Sequence, residues 1–191
     1  GRIDIQTAGS TNSDIFMAGT ASINGGDVVL DAGTGNAGAA GTTTNAGGIF
    51  LSTTANDSSI TVHSTSGLTA VGGDAQGDAT GTSGAGGQIA ISTAGGSTNG
   101  GAGTDADIDI LAAADASAGD ADGGAGSAGG LVTITTTGDD ADIKTESTGT
   151  IDANGGASNG STGGAGGRVD ITTNDNGGVA DGSDIQILAA V

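Results

Sequence analysis

The chain is 191 residues long and holds 42 Gly, 21 Asp against a single Glu, three Lys or Arg, and no Pro, Cys, Trp or Tyr, for a formal net charge of -19. That charge repels nucleic-acid phosphate and anionic lipid; the missing cysteines exclude a disulfide framework and a thiolate metal site; and no apolar run approaches the roughly 18 residues of a membrane-spanning helix. Ile, Leu, Val and Phe total only 32 residues, a share that in so charged a chain signals disorder unless their placement says otherwise.

Their placement is periodic. The chain opens on Gly1-Arg-Ile-Asp-Ile-Gln-Thr7, in which Ile3 and Ile5 alternate with polar residues as in a strand with one buried face. The same phrase returns as Gly86-Gly-Gln-Ile-Ala-Ile-Ser-Thr93, Gly129-Gly-Leu-Val-Thr-Ile-Thr-Thr136 and Gly166-Gly-Arg-Val-Asp-Ile-Thr-Thr173, with a looser copy at Gly47-Gly-Ile-Phe-Leu-Ser-Thr53. Taking Gly1, Gly48, Gly87, Gly130 and Gly167 as equivalent gives unequal spacings of 37 to 47 residues. A second alternating phrase follows each first one: Asp14-Ile-Phe-Met17, Ser59-Ile-Thr-Val62, Asp107-Ile-Asp-Ile110, Asp142-Ile-Lys-Thr145 and Asp184-Ile-Gln-Ile187. Eight residues beyond its first Ile comes a third element, at Ile23, Leu68, Ala116 and Ile151, so this corner is expected to be of constant length. An extra phrase, Gly25-Gly-Asp-Val-Val-Leu-Asp-Ala32, reads either as an additional short turn or as a strand in the first return.

Short strands joined by one fixed corner and two extensible ones, the last a long Gly/Ala/Ser-rich return, are the pattern of a strand solenoid whose loops project outside the stack. The expected fold is all-β, a parallel β-helix (β-solenoid) of about five irregular turns, forming one array over 1-191 with approximate repeats 1-46, 47-85, 86-128, 129-165 and an incomplete 166-191. A flexible Gly-rich linker has no reason to keep β-branched residues in alternation through five copies. Stacking like residues in narrow columns needs no aromatic bulk, so 32 large apolar residues suffice. Ile91, Ile134 and Ile171 are expected to share one inward column.

The Gly-Gly-x-Val/Ile-x-Ile-x-Thr phrases, with Thr150-Ile-Asp-Ala-Asn-Gly-Gly156 leading to a Gly-Gly-Ala-Gly-Gly run that ends at Gly167, resemble the Gly-rich parallel β-helices of bacterial surface proteins. These are the filamentous-haemagglutinin-like and autotransporter-passenger adhesins. The resemblance covers essentially the whole chain, departs from the shorter haemagglutinin turn in its long returns, and implies export, an extracellular or cell-surface location, right-handed winding and an adhesive or scaffolding role.

Parallel β-helices also host polysaccharide lyases and hydrolases, which need paired carboxylates or a base beside a bound cation. Here His63, Lys144, Arg2, Arg168 and Glu146 form no such constellation in the sequence, and His63 falls on an outward phase, so no enzymatic activity is expected. The preference for Asp over Glu has two readings. A short carboxylate accepts hydrogen bonds from nearby backbone amides and so ends turns. Alternatively, Asp14, Asp107, Asp142 and Asp184 all precede the first Ile of the second phrase, so stacking would line them up as a ladder that calcium could bridge. Gly100-Gly-Ala-Gly-Thr-Asp105 and Asn174-Asp-Asn176-Gly each begin a calcium motif without completing it. Asn56-Asp-Ser58 and Asn159-Gly-Ser161 are glycosylation acceptors by pattern. An ice-facing Thr array is not expected, because the outward residues of the first phrase are mixed: Arg2/Asp4, Gln88/Ala90, Thr133/Thr135, Arg168/Asp170.

The expected function is therefore that of an extracellular structural protein, an adhesin stalk or self-assembling filament subunit, with a calcium-dependent carbohydrate- or surface-binding module as the alternative. No n-region and h-region open the chain at Gly1, so any export signal is expected to have been removed or to lie outside this segment. Both ends fall within solenoid turns, and the expected partners are further repeats, head-to-tail copies of the chain, or surface glycans, rather than nucleic acid or membrane.

Overall fold

The computed structural model describes residues 2–8, 13–23, 28–33, 48–54, 58–79, 81–94, 106–138, 141–146, 149–174, 183–188 and 191. Among these there is no helix, and the strands run in chain order as β1 (Arg2–Thr7), β2 (Ile15–Met17), β3 (Ala21–Ser22), β4 (Val28–Gly33), β5 (Gly48–Thr53), β6 (Ile60–Val62), β7 (Gly67–Thr69) and β8 (Ala75–Ala79), followed by β9 (Gln88–Ala94), β10 (Ile108–Ile110), β11 (Ala113–Asp115), β12 (Leu131–Thr137), β13 (Ile143–Thr145), β14 (Ile151–Asp152), β15 (Arg168–Asn174) and β16 (Ile185–Ile187). The protein is all-β, and its sheets are parallel.

Each phrase pairs with its own kind. The first phrases form one five-stranded sheet ordered β1-β5-β9-β12-β15, the second phrases another ordered β16-β13-β10-β6-β2, and the third elements a four-stranded sheet ordered β14-β11-β7-β3. Ile89, Val132 and Val169 stand in register, as do Ile91, Ile134 and Ile171, so the expected inward column is present. Ile49, Leu51, Ile89, Ile91, Val132 and Ile134 are completely buried, and they meet Ile60, Val62, Ile108 and Ile143 of the second sheet and Leu68 and Ile151 of the third in a single core. Alternation with period two thus does what the sequence implied within the sheets, where one face of each short strand fills a narrow interior, whereas Ile5 of β1 and Ile185 and Ile187 of β16, on edge strands, are exposed.

Two registers differ from expectation. Arg2 pairs with Gly48 rather than with Ile49, so Gly47 and not Gly48 is the equivalent of Gly87, and Gly48 occupies an outward side-chain position. It has φ +138°, a conformation that L side chains rarely adopt, and a Cβ there would crowd the carbonyl oxygen of Gln88 on the neighbouring strand. The corner into the third sheet is also not constant. Ala21, Leu68, Ala114 and Ile151 are the paired residues, so in two of the four cases the element arrives two residues earlier than the eight-residue spacing placed it. Ile23 and Ala116 lie one inward position further on, their amides bonded to Thr69 and Asp152. The longer corners carry an extra turn, closed by Ser66 N–H on the His63 carbonyl (2.8 Å) and Gly149 N–H on that of Glu146 (3.1 Å). A slip of two residues keeps the same face inward, which is why apolar alternation does not reveal it.

The described parts of the long returns pair with one another. The extra phrase at 25–32 contains β4, a strand in the first return that pairs in parallel with β8 in the second; isolated bridges continue the line through Ala75, Ala121 and Ser158. The second, third and fourth returns fold back on themselves, with the amides of Gly87, Gly130 and Gly167 reaching the carbonyls of Ala70, Ala116 and Ala153 at 2.6–2.8 Å. The second return also bonds the third through Gly86 N–H to the Ala128 carbonyl (3.1 Å), and the third bonds the fourth through Gly129 N–H to that of Ala165 (3.0 Å). Limbs this close leave no room for side chains: a Cβ on Gly130 would collide with the Gly87 carbonyl oxygen, and one on Gly167 with that of Gly130. Here glycine composition reflects backbone-on-backbone packing as well as chain reversal.

Candidate functional site

The outward face of the second sheet carries most of the protein's distinctive chemistry. Because Ile15, Ile60, Ile108, Ile143 and Ile185 share one inward column, the residues just before them form an outer row: Asp14, Ser59, Asp107, Asp142 and Asp184. The next outward row is Phe16, Thr61, Asp109, Lys144 and Gln186. Asp107, Asp142 and Asp184 are therefore brought side by side on adjacent strands, as the sequence predicts, whereas Asp14 is set apart from them by Ser59.

The carboxylates are held by backbone. Asp142 N–H donates to Asp107 Oδ1 at 2.9 Å, Asp184 N–H to Asp142 Oδ1 at 2.7 Å, and Ser59 N–H to Asp14 Oδ1 at 2.8 Å. Each side chain thus accepts an amide from the following strand, an arrangement that offsets the repulsion of like charges about 4.8 Å apart. A second series repeats the device in the returns, where Asp120 N–H donates to Asp74 Oδ1 and Ala157 N–H to Asp120 Oδ1, both at 2.8 Å. Among the described residues no three His, Cys, Asp or Glu side chains converge closely enough to hold a metal ion. The amides supply a partner that the calcium reading assigned to a cation. Both partial calcium motifs lie largely or wholly outside the described residues: Gly100–Asp105 entirely, and Asn174–Gly177 apart from Asn174.

Asp107, Asp109, Asp142, Lys144, Asp184 and Gln186 line a shallow, open depression of about 510 Å³. Burial pushes the Asp109 carboxyl above the usual carboxylate range, with Glu146 and Asp142 acting in the same direction and Lys144 opposing them. Lys144 donates to Glu146 at 2.9 Å, and that hydrogen bond, with the charge of Glu146, holds its ammonium above the ordinary lysine range. The depression therefore presents carboxylates, one amide and a cation already paired with Glu146. Such a surface suits a hydroxyl-rich or cationic ligand.

His63 sits on the same face, partly exposed, with Nδ1 3.1 Å from Thr65 Oγ1 and its ring edge-on to Phe16 at 5.8 Å. Of the glycosylation acceptors, Asn159 and Ser161 are exposed, the Asn159 Nδ2 donating to Asp122 Oδ1 at 3.3 Å. Asn56 lies outside the described residues, while Ser58 is fully buried.

One feature of each first phrase was present in the sequence without its role being evident. Thr7, Thr53, Thr93, Thr136 and Thr173 form a continuous inward row at the ends of the first-sheet strands. Thr93 Oγ1 donates to the Ala106 carbonyl at 2.6 Å and Thr136 Oγ1 to that of Ala141 at 3.1 Å, fastening the first sheet to the residue before the acidic row. The signal was the Thr that ends every copy. Comparison of the chain with protein families, curated proteins and solved structures gave no match in any of the three.

Proposed function

We propose that the three sheets are successive faces of a right-handed parallel β-helix of about five turns, and that the protein is a non-enzymatic, extracellular structural element, an adhesin stalk or filament segment. The observation that carries this reading is the in-register parallel pairing of all five first phrases and all five second phrases, reinforced by amide-to-carboxylate bonds between successive Asp positions. Interstrand hydrogen bonds that run along the stack suit a load-bearing rod. The test is immunogold labelling of intact cells of the source organism: label on external fibres or the outer envelope supports the proposal, and label confined to the cell interior contradicts it.

One observation favours a second reading, the depression lined by Asp107, Asp109, Asp142, Lys144, Asp184 and Gln186. In that reading the same face binds hydroxyl-rich surface glycans, with calcium between the carboxylates. Glycan-array binding that is lost on chelation would support it over the purely structural role.

A further inference from the structure

The two large outer faces differ sharply in charge. The outward face of the second sheet and its margin bear Asp14, Asp107, Asp109, Asp142, Asp184 and Glu146 against Lys144 alone. On the first sheet, the charged residues of the five strands are Arg2, Asp4, Arg168 and Asp170, and they cancel. Moreover, they pair within their own strands, Arg2 with Asp4 at 2.5 Å and Arg168 with Asp170 at 2.6 Å, and both strands are edges of the sheet. The three central strands present only neutral outward side chains, among them Phe50, Ser52, Ala90, Ser92, Thr133 and Thr135, all partly exposed. Ser52, Ser92, Thr135 and Thr172 form an unbroken hydroxyl row in register.

We infer that this first-sheet face is a lateral contact surface for a second copy of the chain, the two packing sheet against sheet. In a molecule of net charge -19, copies approaching through any strongly acidic face repel each other, whereas the first-sheet face brings no uncompensated charge from its strands into contact. A twofold axis in the plane of contact and parallel to the strands places β1 of one copy over β15 of the other, so each Arg–Asp pair meets its counterpart at the rim while small and hydroxylated residues meet at the centre. Phe50 is already engaged by the Arg2 guanidinium at 4.4 Å from the ring centroid, which argues against its serving as a sugar-stacking platform. Five strands about 4.8 Å apart and six or seven residues at about 3.3 Å each give a face of roughly 500 Å² per copy. A pair would then bury on the order of 1,000 Å², the lower end of specific interfaces, so a weak, reversible contact is expected. The inference does not rest on the proposed stalk or filament role, but it would let neighbouring rods bundle side by side.

Sedimentation equilibrium of the 191-residue chain, from micromolar to about millimolar and from about 0.05 to 0.5 M NaCl, tests it. A reversible dimer is expected, tightening as salt screens the remaining acidic surface. Ser92→Asp combined with Thr135→Asp places charges at the centre of the face and should weaken dimerisation by about tenfold or more, while Thr61→Asp on the second sheet should leave it intact. Ala90→Lys serves as an independent disruption if the double variant loses its β circular dichroism. A chain that stays monomeric throughout, or a dimer indifferent to both first-sheet variants, overturns the inference. Retention on an insoluble neutral polysaccharide by a strictly monomeric chain would assign the face to that polymer instead.

Discussion

Replacing Ile134 with Ala tests the packing argument at its centre. Ile134 is fully buried and stands in register between Ile91 and Ile171. The change removes three carbons, worth about 0.8 kcal/mol each in transfer free energy. Columns of like residues held by parallel ladders on both sides have little freedom to close the gap, so a residual cavity adds about 1 kcal/mol, giving an expected loss of roughly 3–4 kcal/mol. Its neighbour Thr135 points outward, and Thr135→Ala should change stability by no more than about 0.5 kcal/mol. With neither Trp nor Tyr in the chain, guanidinium unfolding followed by far-UV circular dichroism is the suitable assay. Ile134→Asp, which buries an unpaired charge, should unfold the neighbouring strands altogether. If Ile134→Ala cost no more than Thr135→Ala, the inward column would be misassigned.

Glycine makes a matched test of the returns: Gly130→Ala must displace the Gly87 carbonyl and should cost several kcal/mol, whereas Gly166, with nothing within 4 Å of a built Cβ, should accept Ala with little change in melting temperature. Asp142→Ala removes the acceptor for Asp184 N–H and should lower stability by a few tenths to about 1 kcal/mol, with Asp142→Asn retaining most of it. A chelator should leave the melting temperature of the parent chain unchanged if amides alone hold the row, and should lower it if calcium bridges Asp107, Asp142 and Asp184. Because burial raises the Asp109 carboxyl, the protonated form is favoured by the fold; the stability this contributes is complete below the unfolded pKa and is lost as pH rises through the folded one. Asp109→Asn should therefore raise the melting temperature at pH near 7 relative to the parent, a gain that vanishes in melts at about pH 3.

Strand faces were legible in the sequence because burial on one side of a strand writes itself as alternation, and Ile91, Ile134 and Ile171 needed no further clue. Register within two residues was not, since Ala21 and Ile23, or Ala114 and Ala116, present the same face. The Gly47-Gly48 pair misled by one residue because either glycine fits the phrase, and the pairing of Gly48 with Arg2 decides between them. Glycine-rich returns read as loops for a physical reason: backbone packing against backbone leaves no side-chain pattern, so the bonds of Gly86, Gly129 and Gly130 have no signature beyond composition. The acidic row was placed correctly for Asp107, Asp142 and Asp184, but the amide donors that satisfy it belong to the next strand and are invisible in side-chain identity.

The central claim, that segments far apart in sequence stack in order as parallel strands, is most directly measured by electron–electron distances between spin labels. The chain has no cysteine, so labels go only where they are introduced, and Gln6, Ser52 and Thr172 are outward positions of one register row. With strands about 4.8 Å apart, labels at Gln6 and Thr172 should give a narrow distribution near 20 Å, and moving the first label to Ser52 should shorten it by about 5 Å. A broad distribution, or a separation that fails to fall by one strand spacing, would contradict the stacked arrangement.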